Sequence, residues 1–294
     1  MERELWPLLY RLLRSVAKDF HQNNVTYQPW VLAAVLLWAA LHDRPLAWAC
    51  QLRHWSTTRL RPVQLPSPAT LSRRLYKVGM GLFLRTLEQR LRDSGQPRLV
   101  AFLDGKPLVV SGVSKDPEAK RGRGAGGMAK GYKLHTVWSN RPMPEVWEVT
   151  PLNVHELVVA ERLLGQLSAG GYVLADGNYD SSLLADRAYE RGYQLVAPLP
   201  KNAGQGHRYQ SRHRLRNRDL LAGEFGKGLY GQRGSIERSF GNATSFAAGL
   251  GPLPAWVRRL HRVRTWVWAK LLINGVRIVK KQGLTPQMQK VLAL

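Results

Sequence analysis

Apolar residues recur at spacings of three and four over 5–20 and 28–42, which predicts two helices, the second entered through Pro29 where a first helical turn accepts proline. Pro45 starts another short helix. Pro62 and Pro66 punctuate a loop before Ser67, which with Pro68 opens a capped helix over 68–76, and a further helix follows over 79–93. Around Pro97 helical periodicity gives way to short apolar or alternating runs. These predict strands over 99–103, 107–111, 131–138, 144–150, 172–175 and 193–197, with helices over 155–168, 181–191 and 255–280. Asp180 is placed as the cap of helix 181–191, and Glu156 as a first-turn acid favoured by the helix dipole. Residues 115–130, with five glycines between 122 and 131, are expected to form a mobile basic loop.

The fold expected is therefore a mixed α/β sheet flanked by helices, its first three strands antiparallel. Three regions follow: a helical, helix-turn-helix-like region over 1–97, an α/β domain over 98–250, and a basic amphipathic helical region over 251–294. In the first, helix 68–76 has the look of a recognition helix, with Arg73 and Arg74 free to reach phosphates or base edges.

Charge sharpens this picture. The 294 residues hold 44 Lys and Arg against 20 Asp and Glu, a formal charge of +24 that points to a polyanion, nucleic acid first. Residues 1–98 carry 15 basic against 6 acidic side chains, 99–200 carry 11 of each, and 201–294 carry 18 against 3. A simple DNA coat has no reason to gather its acids between two cationic flanks, whereas a nuclease needs carboxylates for metal inside a cradle for phosphate. One cysteine, Cys50, leaves no disulfide framework or Cys-rich zinc site, and a reducing cytoplasm is the expected location. The apolar run 30–41 falls short of the roughly 20 residues of a membrane span, so no membrane partner is expected.

Two acids, Asp104 and Asp176, each end a short apolar segment and precede glycine, where side chains converge at a sheet edge. A third, Glu237, stands beside Ile236, which with Phe240 four residues on fixes one helix face. Three hard oxygen ligands suit Mg2+, with Mn2+ as a substitute. Two such ions about 3.5–4 Å apart can hold the attacking and leaving oxygens of an in-line phosphoryl transfer.

Five blocks then carry a resemblance: Phe102-Leu103-Asp104-Gly105, Gly131-Tyr132-Lys133-Leu134-His135, the run from Val149 to Glu156, Leu174-Ala175-Asp176-Gly177-Asn178-Tyr179, and Arg233-Gly234-Ser235-Ile236-Glu237-Arg238-Ser239-Phe240. In this order, over about 99–247, the chain resembles the DDE transposases of bacterial insertion sequences. The resemblance implies an RNase H-like catalytic domain with Asp104, Asp176 and Glu237 as both catalytic triad and metal ligands. Tyr230, Arg233 and Glu237 match the family's Tyr-x2-Arg-x3-Glu signature, whose Tyr and Arg contact the element's end near the cleaved phosphate. Thr244 stands where that signature continues to a Lys, which puts one end contact in doubt and leaves Arg238 or Lys227 to substitute.

The reading is a DNA transposase that cuts the ends of its element and joins the freed 3′-hydroxyl to target DNA. Double-stranded DNA is the partner, and a homodimer is expected because two ends must be synapsed. An inactive DNA-binding descendant and a metal-dependent nuclease or resolvase are the alternatives. Lys133 and Arg238 join the cations expected to contact DNA, as do Arg212, Arg214, Arg216 and Arg218. Those four end an acid-free stretch over 201–218, read as a basic loop. His135 is either a residue acting near the metal or a packed one.

Overall fold

The computed structural model describes residues 2–55, 57–96, 98–124, 126–168, 170–200 and 210–283. It resolves into two compact units. One takes in the chain up to Gly95, Ala243–Gly251 and the residues from Thr265 onward; the other takes in Gln96–Asn242 and Pro252–Arg264.

The first unit is helical: α1 (Glu2–Ala17), α2 (Pro29–Leu41), α3 (Leu46–Ala49), α4 (Pro68–Leu75) and α5 (Val78–Asp93). Every residue of α2 except Trp30 is buried, so this helix is apolar all round and takes the centre. No helix among the described residues is long and apolar enough to cross a membrane. Trp6 and Trp38 meet edge to face at 4.8 Å and Trp38 stacks on Trp55 at 4.6 Å. Each indole N–H finds a backbone carbonyl, on Leu60, His54 and Ala49 respectively, so three large apolar bodies are buried with no orphaned donor. Ser67 caps α4 by accepting from the Thr70 N–H, with Pro68 at the first helical position, as its sequence predicts.

The second unit holds β1 (Val100–Val109), β2 (Lys120–Gly124), β3 (Gly127–Trp138), β4 (Val146–Pro151), α6 (Glu156–Leu164), β5 (Gly171–Leu174), α7 (Ser182–Tyr189), β6 (Tyr193–Val196), α8 (Arg212–Ala222), α9 (Glu224–Tyr230), α10 (Gly234–Thr244) and the first residues of α11 (Leu260–Gln282). The strands form one mixed sheet in the order β2-β3-β1-β5-β6, with β4 also on β3. β3 runs antiparallel to β1, β2 and β4, whereas β5 is parallel to β1 and β6. Ala101, Leu103, Val173 and Ala175 face a core closed by Val159 and Leu163 of α6 and Leu184 and Ala188 of α7.

Four local expectations are corrected. The strands expected over 99–103 and 107–111 are one, β1, which runs straight through Pro107. The Val110 N–H bonds the Lys130 carbonyl, so even-numbered residues of β1 bond β3, and the Pro107 nitrogen points to the other side, where pairing with β5 has ended at Phe102. The basic stretch 115–130 is no mobile loop, because most of it forms a hairpin pairing Lys120–Gly124 with β3. Its glycines allow this: a Cβ on Gly122 would lie 2.3 Å from the Leu152 carbonyl oxygen. Of the stretch read as a basic loop over 201–218, residues 201–209 lie outside the described ones, and 212–218 are helical in α8, capped by Ser211. Finally, the helix expected from 255 begins at Leu260. Arg259 sits at φ 70°, and the N–H groups of Arg259 and Leu260 bond the carboxylates of Asp116 and Glu118 at 2.9 and 2.7 Å. Those acids serve the helix's first orphan donors, so Trp256, Arg258 and Arg259 precede it.

Farther along α11, in the first unit, Lys270 is 1% exposed. Its ammonium spends its three donors on the Ala40 carbonyl at 2.7 Å, the Asp43 carboxylate at 2.6 Å and the Ala248 carbonyl at 3.2 Å.

Candidate active site

Parallel register brings the two aspartates together. Phe102 of β1 pairs with Leu174 of β5, so Asp104 and Asp176 each stand two residues past the same rung and on the same face. Asp104 is thus mid-strand in β1, beyond the reach of β5 and opposite Thr136 of β3, rather than at a strand end. Asp176 follows β5 and opens a short 3-10 turn by accepting from the Asn178 N–H at 2.9 Å. Phe102 and its rung partner Trp138 belong to the face opposite the α6 and α7 core. There Phe240 of α10 meets Trp138 edge to face at 6.4 Å. Ile236 is fully buried, as the four-residue spacing predicts, while Glu237 stays exposed at the helix edge.

One cation gathers the three acids. The Arg233 guanidinium lies 3.9 Å from an oxygen of Asp104, 3.9 Å from one of Asp176 and 3.9 Å from one of Glu237. Burial pushes the Asp104 carboxyl up to about 6, reinforced by Asp176 and Glu156, while the Gly105 N–H and Arg233 pull the other way. Tyr179 is 1% exposed with a hydroxyl that has no hydrogen-bond partner among the described residues, and burial together with Glu156, Asp104 and Asp176 raises its pKa.

A second pair lies across the sheet from Asp104. Lys133 of β3 is buried and donates to Glu156 at the start of α6. A Cβ on Gly105 would come within 3.0 Å of the Lys133 side chain and 3.5 Å of the Glu156 carboxylate, so glycine after Asp104 makes the room for this pair. Three carboxylates therefore face Arg233, and a fourth, Glu156, is paired with Lys133 on the α6 side of the sheet. That donor set suits a hard divalent ion, and the orphaned Tyr179 hydroxyl beside it suits a polar occupant. As the side chains stand, no three acids, histidines or cysteines among the described residues are grouped closely enough to hold a metal. Arg233 is the cation they share.

A family model described as the transposase DDE domain matches residues 95–273, more than half of the chain. The chain belongs to that family. No curated protein and no solved structure matches it. The matched residues include Asp104, Asp176 and Glu237, together with Lys133, Glu156, Tyr179, Tyr230 and Arg233.

The DDE domain does not bring every candidate to this site. Tyr230 ends α9 half-buried, its hydroxyl pKa raised mainly by burial and also by Asp176, with Arg233 pulling the other way. Arg238 is exposed but donates to the Ser235 hydroxyl at 2.5 Å. On α8, Arg212 lies over the Tyr189 ring, Arg216 is exposed, and Arg218 has a buried Nε without a partner among the described residues. Arg214 is engaged: it grips Asp180 with two hydrogen bonds of 2.9 and 2.6 Å. Asp180 accordingly does not cap α7, a role Ser181 takes by accepting from the Leu184 N–H. In the helical unit Arg73 is exposed, whereas Arg74 donates to the Tyr27 carbonyl at 2.7 Å. His135 is buried against the Thr150 hydroxyl at 3.0 Å, and burial with Lys133 and Arg162 nearby pushes it down to about 3, so it is a neutral packed residue. Glu156 and Tyr179 are the neighbours that sequence reasoning missed. Both lie in the blocks that carried the resemblance, and nothing in local spacing separates them from a first-turn acid and a core aromatic.

Proposed function

We propose that this chain is a DNA transposase that cuts the ends of an insertion sequence and joins the 3′-hydroxyl to target DNA. One observation carries the reading: three acids from β1, the turn after β5, and α10 converge on a single cation. The strand order β4-β3-β1-β5-β6, antiparallel then parallel, supports an RNase H-like fold for the domain. Asp104, Asp176 and Glu237 would hold two divalent cations, Mg2+ or Mn2+, which supply charge stabilisation for in-line displacement at phosphorus when bound. Arg233 leaves the acids for the phosphate beside the scissile bond, where its planar fork matches two oxygens. Tyr230, at the end of α9, lies against the same strand. Lys133 keeps Glu156 paired, which limits the negative charge around Asp104. Arg73, Arg212, Arg216 and Arg218 contribute backbone contacts, and two chains synapse two ends as a homodimer in the bacterial cytoplasm.

The test is purified protein with duplex carrying the flanking genomic sequence and Mg2+. Cleavage and strand transfer are expected in the native chain, with cleavage abolished and duplex binding retained in Asp176→Asn and Glu237→Gln. A variant cutting at the native rate overturns that residue's role. Cleavage without transfer assigns a nuclease or resolvase instead. Binding without metal-dependent cutting decides for an inactive DNA-binding descendant.

A further inference from the structure

The helical unit contains a cavity of about 600 Å3 between α1 and the start of α2. Its wall is built on one stripe. Arg11, Arg14, Lys18 and His21 follow each other at spacings of three, four and three along α1 and the turn after it, so they share one face. All four are exposed, and no ion pair with a carboxylate engages any of them among the described residues. Two aromatic rings share the lining. Trp30 is the one residue of α2 that is not buried, and Tyr10 meets it edge-on with ring centres 6.0 Å apart. The Tyr10 hydroxyl is tied back to the Arg61 carbonyl at 3.3 Å, which fixes the ring. The Arg14 guanidinium lies over the Trp30 ring at 4.4 Å.

Trp30 is left part-exposed at the cavity mouth with the Arg14 guanidinium stacked over its ring, a flat cation of the kind that also stacks on a base. Aromatic faces next to unpaired cations, with no acid in the lining, are what an unpaired nucleotide needs: a π-face for the base and charge for its phosphates. The volume lies within the range of sites for small organic groups. A duplex buries its base faces inside the stack and cannot use Trp30. We propose that this cavity binds an unpaired nucleotide of a DNA strand, its base against Trp30 and its flanking phosphates on Arg11, Arg14 and Lys18. The proposal rests on the reading of the chain as a DNA-handling protein and adds a contact to single strands, remote in sequence from the acids.

The test uses the full chain without divalent metal and follows anisotropy of labelled oligothymidylate and of a random duplex of equal length. Trp30→Leu keeps the apolar body and removes the π-face. It is expected to weaken single-strand binding roughly 5- to 100-fold and to change duplex binding less than about twofold. Trp30→Phe should recover most of the loss, and an unchanged melting temperature excludes a folding defect. Replacing Arg11 and Lys18 with Gln should lower the single-strand salt slope by about 0.7 each. Equal losses on both DNAs, no loss on either, or no single-strand binding by a native chain that binds duplex overturns the proposal alone. Displacement of the strand by thymidine monophosphate would reassign the cavity to a free nucleotide. A native chain that binds neither DNA overturns the transposase reading, and this proposal with it.

Discussion

Replacing Asp104 with Asn should make the protein more stable at neutral pH while removing its cutting activity. The Asp104 carboxyl is pushed up to about 6 from an aspartate's ordinary 3.8, mainly by burial, so its ionised form is less favourable in the fold than in the unfolded chain. Below about pH 3.8 both states are protonated and the group costs nothing. The penalty grows between about pH 3.8 and 6 and is complete above that, so this group's contribution to stability falls as pH rises through that window. At about 1.36 kcal/mol per pH unit the full gap corresponds to about 3 kcal/mol. The side chain is 22% exposed, and Asn forgoes the contact with Arg233, which leaves a net gain of about 1–2 kcal/mol. For a chain of this size that is a rise of roughly 2–6 °C in melting temperature at pH 7.5. Calorimetry of both proteins at pH 7.5 and pH 4 is the assay: the gain should be present at the first and nearly absent at the second. A variant no more stable than the native protein at pH 7.5, or equally stabilised at both, refutes the reasoning.

Arg233→Gln should tighten Mn2+ binding without DNA by about 5- to 30-fold, because the ion no longer competes with a resident guanidinium making pairs of about 0.5–1 kcal/mol with Asp104 and Asp176. Electron paramagnetic resonance titration measures it, and an unchanged dissociation constant sinks it. On α8, Arg216→Gln should lower the salt slope of duplex binding by about 0.9 with no change in stability. Arg214→Gln should instead cost about 2–4 kcal/mol by stranding Asp180, whose side chain is 2% exposed; urea unfolding of the two variants separates them, and equal stabilities would contradict the pairing. His135, pushed down to about 3 against an ordinary 6.5, contributes stability that is complete above about pH 6.5 and lost as pH falls toward 3. His135→Gln should therefore flatten the acid-unfolding profile between those values, and an unaltered profile would show that the imidazole is free to charge.

Much of the site was legible because its chemistry sits in contiguous blocks. The strand segments before Asp104 and Asp176, and the Ile236 and Phe240 spacing that seats Glu237, are short-range patterns, and they led to the right elements. What escaped was set by partners distant in sequence. Pro107 looked like the start of a new strand because its harmlessness depends on where β5 stops. Asp180 looked like a cap because Ser181 can do that work only while Arg214, thirty-four residues on, takes the acid. The glycines of 122–131 read as looseness, although at Gly122 the missing side chain is what lets the Leu152 carbonyl come close. The sequence assigns Arg233 to DNA through its signature alone, and only the β1–β5 register shows why the carboxylates of both Asp104 and Asp176 meet it.

The buried ammonium of Lys270 has a consequence for how the chain is made. Its three acceptors belong to Ala40, Asp43 and Ala248, so the helices that leave the ribosome first lack part of their interior until residue 270 has been synthesised. The stretch 96–242 has no such wait for the whole of its sheet, whose strands are complete by residue 196. Synthesis order and order of completion are therefore reversed between the two units. The helical unit becomes whole only when α11 has emerged.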